Sequence, residues 1–280
     1  MNAPASRRHQ GRTIELQVDL HAPPGDVYAA WAEPDAISRW FVDRMEGEAR
    51  AGGVIWWVFE HFRLRHPIPV VAAEPGRELV FGGELPGRPP FLQEFLCKPY
   101  DGGTRLTLRN SGFGDGPEWD DEFAAVHSGW VLALATLKRW IETDRDSARA
   151  HLQQMRPAVF EFESVQPFFT TAAGLSQWLA QRAVLPDEPL QVGTDVQLDL
   201  GEDLVLNGQV LARTEREVLL DWPEEHAVLA LKCFTMYGDQ RAVCLDLNAW
   251  PLAPGRRTLL ESWMTRSLNR LGECLAPTRS

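Results

Sequence analysis

Hydrophobic and polar residues alternate along residues 13–20, TIELQVDL. The charged and amide side chains share one face, and the other face carries Ile14, Leu16, Val18 and Leu20. Because successive side chains of a strand point to opposite faces of its sheet, this alternation predicts a strand with one buried face.

The next segment, residues 21–41, changes from a period of two to the spacing of a helix. Val27, Ala30 and Trp31 recur at intervals of three and four positions. Two adjacent prolines suit a helix start, and Pro34 interrupts the segment further on. We therefore predict two short helices.

Short strands separated by glycine-containing turns are predicted for the next 70 or so residues. EPGR and YDGGT are typical of tight turns between antiparallel strands. The strand-like segments are GGVIWWVFEHF, PVVAAEPGRELVFGGEL, FLQEFLCKPY and TRLTLRN.

A long amphipathic helix is predicted over residues 117–144. Acidic residues fill its first turn, where they complement the positive end of the helix dipole. Its apolar stripe, with members three and four positions apart, consists of Phe123, Val126, Trp130, Leu134, Leu137 and Ile141.

The same order of elements then returns in the second half of the chain. ISRWF at 37–41 recurs as LSQWL at 175–179. AVFEFES is strand-like, QPFFTTAAGLSQWLA predicts the short helices, and PGRRTLLESWMTRSLNRLGECL predicts a closing helix. Between them lie the strand-like segments TDVQLDL, DLVLNGQVLA, EVLLDW, VLALKCF and VCLDLNAW. Agreement of the whole order indicates a tandem duplication with a diverged second copy.

We therefore predict an α+β fold with two domains, each a curved antiparallel sheet wrapped around a long C-terminal helix with two short helices. The expected divisions are a flexible tail at 1–12, a first domain at 13–145, a linker at 146–156 and a second domain at 157–276. The tryptophans of the repeated five-residue motif, Trp40 and Trp178, are expected to pack between the short helices and the sheet.

Composition narrows the function classes. The net charge of -11 argues against a protein that follows a nucleic-acid backbone. No apolar run approaches the length of a membrane span, and the first residues lack the apolar core of a secretory signal. The four cysteines show no zinc-site spacing. We expect a cytoplasmic protein with reduced thiols, and the preference for Arg over Lys suggests a bacterial origin.

Five segments in residues 13–143 resemble the Hsp90 ATPase activator-like branch of the SRPBCC superfamily, which has the START-like, helix-grip fold. They are APPGDVYAAWAEPDAISRWF, AGGVIW, EPGRELVF, GGTRLTLRNSGF and HSGWVLALATLKRWIE. The second half resembles the superfamily only by its layout, since it lacks the GG before its first long strand and has ESW in place of SGW.

The resemblance implies an apolar cavity between sheet and long helix. By their positions in the family pattern, the residues expected to line this cavity and bind a ligand are Trp40, Phe41, Trp57, Phe59, Phe81, Phe95, His127, Trp130 and Leu134. Either Trp56 or Trp57 faces inward, depending on the strand register. Gly129 is expected to allow close approach of the helix to the sheet.

Catalytic chemistry has little support in the pattern. His127 beside an aromatic cavity could serve as a general base, but no acidic residue is placed by sequence to orient it. His61 and His66 would face opposite sides of one strand, which is poor geometry for a metal. The glycine-rich SGFGDGPEWDDE lacks the lysine and spacing of a phosphate loop.

The leading hypothesis is non-catalytic binding of a small hydrophobic molecule, lipid-like or polyketide-like, without metal or cofactor. The second domain would then be a structural or dimer-like partner of the first. One alternative is a co-chaperone-like protein with a protein partner. The other is a polyketide cyclase or aromatase that uses His127.

Overall fold

Two antiparallel sheets of seven strands each form the framework of the computed structural model, which describes residues 11–60, 62–84, 88–236 and 240–276. The chain divides into two compact units. The first contains the chain up to Trp130 together with Leu137–Arg145, and the second contains Val131–Thr136 and the chain from Asp146 onward.

The first sheet has the strand order β1-β7-β6-β5-β4-β3-β2. Its strands are β1 (Arg12–Leu20), β2 (Arg44–Glu46), β3 (Val54–Phe59), β4 (Leu64–Glu74), β5 (Glu78–Gly83), β6 (Phe91–Tyr100) and β7 (Gly103–Phe113). The short helices are α1 (Pro24–Ala32) and α2 (Pro34–Ile37). The long helix α3 (Asp120–Arg139) follows a 3-10 turn and continues as a π-helical turn at Trp140–Asp144.

The second sheet repeats this order as β8-β14-β13-β12-β11-β10-β9. Its elements are β8 (Ala150–Ala158), α4 (Phe162–Thr170), α5 (Ala172–Trp178), β9 (Arg182–Val184), β10 (Asp195–Gly201), β11 (Leu204–Arg213), β12 (Glu217–Trp222), β13 (Ala227–Thr235), β14 (Arg241–Ala249) and α6 (Arg256–Leu275). Identical connectivity in both sheets confirms the predicted pair of helix-grip domains.

The repeated tryptophans make the same contact in each unit. The indole nitrogen of Trp40 donates a hydrogen bond of 2.9 Å to the carbonyl of Ala30, and that of Trp178 donates one of 2.9 Å to Phe168. Both acceptors lie ten residues earlier in the chain, and both tryptophans are almost completely buried. The two copies of the five-residue motif therefore occupy equivalent packing positions.

The start of the second sheet differs from the prediction. Residues 150–156, predicted as part of a linker, belong to β8, whereas the strand predicted at AVFEFES is wrong because Phe162 already begins α4. The apolar alternation misled the prediction because Val159 is 87% exposed. β8 was missed because only Leu152 is a large apolar residue in its core-facing set, whereas the neighbouring His151 and Gln153 form hydrogen bonds with Asp246.

Three short segments also refine the prediction. The edge strands β2 and β9 each span three residues, too few for a period of two to be recognised. Residues 1–10 of the predicted tail lie outside the described residues. Arg12, the last residue of that tail, belongs to β1 and pairs with Phe113 of β7.

Candidate functional site

The register of β3 decides which of its tryptophans faces the inside of the first domain. Trp57 pairs with His66 of β4 and is 5% exposed. Trp56 lies on the other face of the strand, where the guanidinium of Arg65 stacks 3.5 Å from its ring centroid. Trp57 is thus the inward residue.

An aromatic cluster occupies the deep space between the first sheet and its helices. Its members, each in ring contact with at least one other, are Trp31, Trp40, Phe41, Trp57, Phe59, Phe81, Phe95 and Trp130. At its centre, Trp31 lies 4.1 Å from Phe95 and 4.6 Å from Trp40, measured between ring centroids. The rings predicted to line a cavity therefore fill most of that space.

Trp31 is the member of this cluster that the site prediction omitted. It is completely buried on α1. Its helical spacing with Val27 indicated a buried position, but nothing in the sequence showed that its ring reaches Phe95 and Trp130 on other elements. Sequence spacing identifies a buried face, whereas the contacts across the core depend on the fold.

A pocket of about 190 Å³, here called the mouth pocket, remains open at the end of the sheet where α3 begins. It is formed by β4, β6, β7, α3 and the segment before β6. Its lining residues are His66, Arg88, Pro89, Phe91, Gln93, Asn110, Ser111, Gly112, Phe113, Glu122 and Val126. None of the nine predicted ligand-binding residues is among these.

The other predicted positions lie deeper or elsewhere. Leu134 is buried on α3, at 5% exposure. His127 is half-buried, and its ring has no hydrogen-bond partner among the described residues. His61 is outside the described residues. No group of three His, Cys, Asp or Glu side chains in the described part of the chain could hold a metal ion.

The floor of the mouth pocket is a short chain of hydrogen bonds centred on Asn110. The side-chain oxygen of Asn110 accepts bonds from Trp130 Nε1 at 2.8 Å and from Gln93 Nε2 at 3.2 Å. Its amide nitrogen donates to the carbonyl of Ser111 at 3.1 Å. Asn110 thereby separates the aromatic cluster below from the pocket above.

A β-bulge shapes one wall of the pocket. Ser111 and Gly112 of β7 together face the single residue Thr13 of β1. Gly112 has a φ of +99°, and a Cβ there would lie 2.7 Å from the Cα of Phe91. Only glycine allows β6 and β7 to approach in this way.

The role predicted for Gly129 is wrong. Gly129 is exposed on α3, and a Cβ added to it would meet nothing within 4 Å. The close approach that requires a glycine is made by Gly112 between two strands, and not by the long helix.

The charged side chains of the mouth pocket neutralise each other. Arg88 forms an ion pair with Glu122, and its guanidinium lies 4.7 Å from the ring centroid of Trp119. Partial burial lowers the pKa of His66, which favours its uncharged imidazole. Arg88 and Glu122 are thus paired with each other at the rim of the pocket.

The core of the second unit also contains packed tryptophans. Trp222 and Trp263 are in ring contact at 5.8 Å, and Trp263 Nε1 donates to the carbonyl of Leu179 at 3.3 Å. A groove of about 660 Å³ does occur between α4 and the turn that joins β11 to β12. It is open to solvent, and polar residues such as Glu163 and Arg213 line it together with Phe162 and Val192.

Residues 21–142 match the sequence model of the family described as "Activator of Hsp90 ATPase homolog 1-like protein". No curated protein is significantly similar to the chain in sequence. No helix in the described part of the chain combines the length and apolar character that crossing a membrane requires.

Three solved structures illustrate the likeness in fold. The Aha1 dimer from Colwellia psychrerythraea is 19% identical, covers 47% of this chain and 97% of its own, and has a TM-score of 0.42. DynU16, from the dynemicin biosynthetic locus, is 20% identical, with coverages of 94% and 99% and a TM-score of 0.41. The di-domain ARO/CYC BexL, from the BE-7585A biosynthetic pathway, is 15% identical, with coverages of 95% and 99% and a TM-score of 0.44. The family match over residues 21–142 agrees with the resemblance that the motifs of the first half predicted.

Proposed function

We propose that the first domain is a non-catalytic module that binds a small hydrophobic molecule in the mouth pocket. The carrying observation is a pocket with apolar walls, formed by Phe91, Phe113 and Val126, above the polar floor at Asn110. Concave sites with apolar walls and few polar groups are the usual form of small-molecule sites.

The size of the pocket limits the ligand. An apolar cavity of roughly 150 Å³ admits benzene, and the mouth pocket measures about 190 Å³. A single ring or a short chain fits this volume. A longer lipid or a polyketide would need the rings of the aromatic cluster to move.

Binding without catalysis is favoured by the surroundings of His127. A general base acts through a hydrogen bond and is held in place by a second group. Among the described residues His127 has no such partner, and it does not line the pocket.

Thermal-shift measurements on the purified chain test this function. We expect small aromatic compounds to raise the melting temperature of the wild-type protein. Val126→Phe should abolish the shift because the larger ring occupies the pocket, whereas Val54→Phe, at an exposed position of β3, should leave it unchanged. Flat curves for every aromatic and fatty-acid compound would contradict the proposal.

A co-chaperone-like role is the second candidate, and the family match over residues 21–142 favours it. If it is correct, the purified chain should increase the ATP turnover of an Hsp90 chaperone from a bacterial source in a concentration-dependent manner. Unchanged turnover at saturating protein would remove this candidate. The cytoplasmic location and bacterial origin stay predictions from composition.

A further inference from the structure

We propose that the mouth pocket selects an uncharged single-ring compound with one hydrogen-bonding group, such as a phenol or an aromatic carboxamide. Ser111 and Gln93 would bind that group. This inference rests on the proposed function and specifies the chemical class of its ligand.

A hydroxyl group in the pocket wall has no hydrogen-bond partner. Ser111 is 2% exposed, and its Oγ has no hydrogen-bond partner among the described residues. A buried polar group without a partner is costly, and native structures keep few of them. A polar group on a ligand would satisfy Ser111 where the protein itself does not.

The hydrogen bonds on the pocket floor leave one side-chain acceptor without a donor. The side-chain oxygen of Asn110 already accepts two bonds, from Trp130 and Gln93. Gln93 uses its amide nitrogen for this contact, and its Oε1 has no partner among the described residues. Gln93 can therefore accept a hydrogen bond from a ligand hydroxyl or amide, while Ser111 can donate one.

The charges of the lining residues also limit the charge of the ligand. A buried carboxylate needs a cation or several donors to offset its loss of hydration. Arg88 is engaged by Glu122 at the rim, and Gln93, Asn110 and Ser111 are uncharged. The other polar lining residue is His66, whose pKa is lowered by partial burial. The described lining thus offers a carboxylate no unpaired cation, which disfavours benzoates and fatty acids.

Calorimetric titration of the full chain at pH 7 compares five probes: 4-methylphenol, benzamide, benzoate, toluene and decanoate. We expect 4-methylphenol and benzamide to bind. Benzoate should bind about tenfold more weakly or worse, because its charge is unpaired. Toluene should bind about fivefold more weakly, because it lacks a hydrogen bond worth about that factor.

Ser111→Ala provides the matched test. This variant should weaken the binding of 4-methylphenol about fivefold and leave the affinity for toluene unchanged, since only the hydrogen bond is lost. The control is Ser267→Ala, which removes another completely buried hydroxyl without a partner, in α6 of the second unit. That variant should bind all probes as the wild type does.

Each outcome has one meaning. Benzoate binding as tightly as 4-methylphenol, or equal weakening of 4-methylphenol and toluene by Ser111→Ala, would overturn the proposed ligand class. Binding of decanoate alone would overturn the class and leave the proposed function standing. Binding of no probe would overturn both. If Ser111→Ala does not fold, the order of affinities for the wild type still decides the class.

Discussion

At the scale of single residues, tryptophans carry much of the packing in both domains. Burying one tryptophan removes about 150–250 Å² from water, which corresponds to several kcal/mol at about 25 cal/mol per Å². Trp40 and Trp178 add the same indole-to-carbonyl hydrogen bond in each unit. Their equivalence gives a direct comparison between the two copies.

Replacing either tryptophan with phenylalanine should be costly. We expect Trp40→Phe and Trp178→Phe each to lower the free energy of unfolding by about 2–3 kcal/mol, because each loses a buried hydrogen bond and leaves a small cavity. Urea denaturation followed by circular dichroism measures this. Trp56→Phe, on the outer face of β3, is the control and should change stability by less than about 0.5 kcal/mol. A loss confined to one of the two copies would contradict their equivalence.

The thiols provide a second test at this scale. Burial raises the pKa of Cys97 and of Cys233 to about 12, and Cys244 is also buried, whereas Cys274 is exposed on α6. Since the thiolate is the reactive form, we expect Ellman's reagent at pH 8 to titrate one thiol per native chain and four after denaturation. Cys274→Ser should leave the native chain unreactive. More than one fast-reacting thiol in the native chain would contradict this burial pattern.

At the scale of elements, β8 shows how a strand can form from a polar segment. His151 Nε2 lies 3.1 Å from Asp246 Oδ1 of β14, and Gln153 Nε2 donates to the other oxygen of Asp246 at 3.1 Å. Lys232 of β13 lies 3.6 Å from the same carboxylate. These contacts hold three neighbouring strands together on one face of the sheet.

The carboxyl group of Asp246 should make the second unit sensitive to acid. Its burial raises the pKa, but Lys232 and the hydrogen bond from His151 outweigh that effect and hold the pKa well below its usual range. A group with a depressed pKa contributes stability above its unfolded value, about 3.9, and loses that contribution as the pH falls below it.

We therefore expect Asp246→Asn to lower the free energy of unfolding by about 2 kcal/mol at pH 7, because the mostly buried Lys232 loses the nearer of its two acidic partners and keeps Glu217 at 3.9 Å. The difference from the wild type should shrink as the pH falls below about 4. Urea denaturation at several pH values measures both effects. Asp195→Asn, an exposed position on β10, is the control. A difference that is constant with pH would rule out this role for Asp246.

At the scale of the whole molecule, the two units share a topology but differ in the pockets that their described residues form. The first unit has the mouth pocket beside its aromatic cluster, whereas the second unit has a solvent-open groove lined mostly by polar residues. Under the proposed function, the hydrophobic ligand binds to the first unit.

The expected stoichiometry follows from this difference. We expect calorimetry to show one molecule of 4-methylphenol bound per chain, and none for Val126→Phe. Saturation at two molecules per chain, or binding that survives Val126→Phe, would show that a second apolar site is available.

Local periodicity in the sequence determined the long helices and most of the longer strands, the duplication, and the buried positions of Trp40 and Trp178. Such features depend on neighbours along the chain, which is why alternation and helical spacing reveal them. Only the tertiary structure decided that Trp57 rather than Trp56 faces inward, because strand register is set between strands. It also decided that Trp31 fills the core, and that Gln93, Ser111 and Val126 meet at one pocket. These residues come from separate elements, and their proximity depends on contacts that no local pattern encodes.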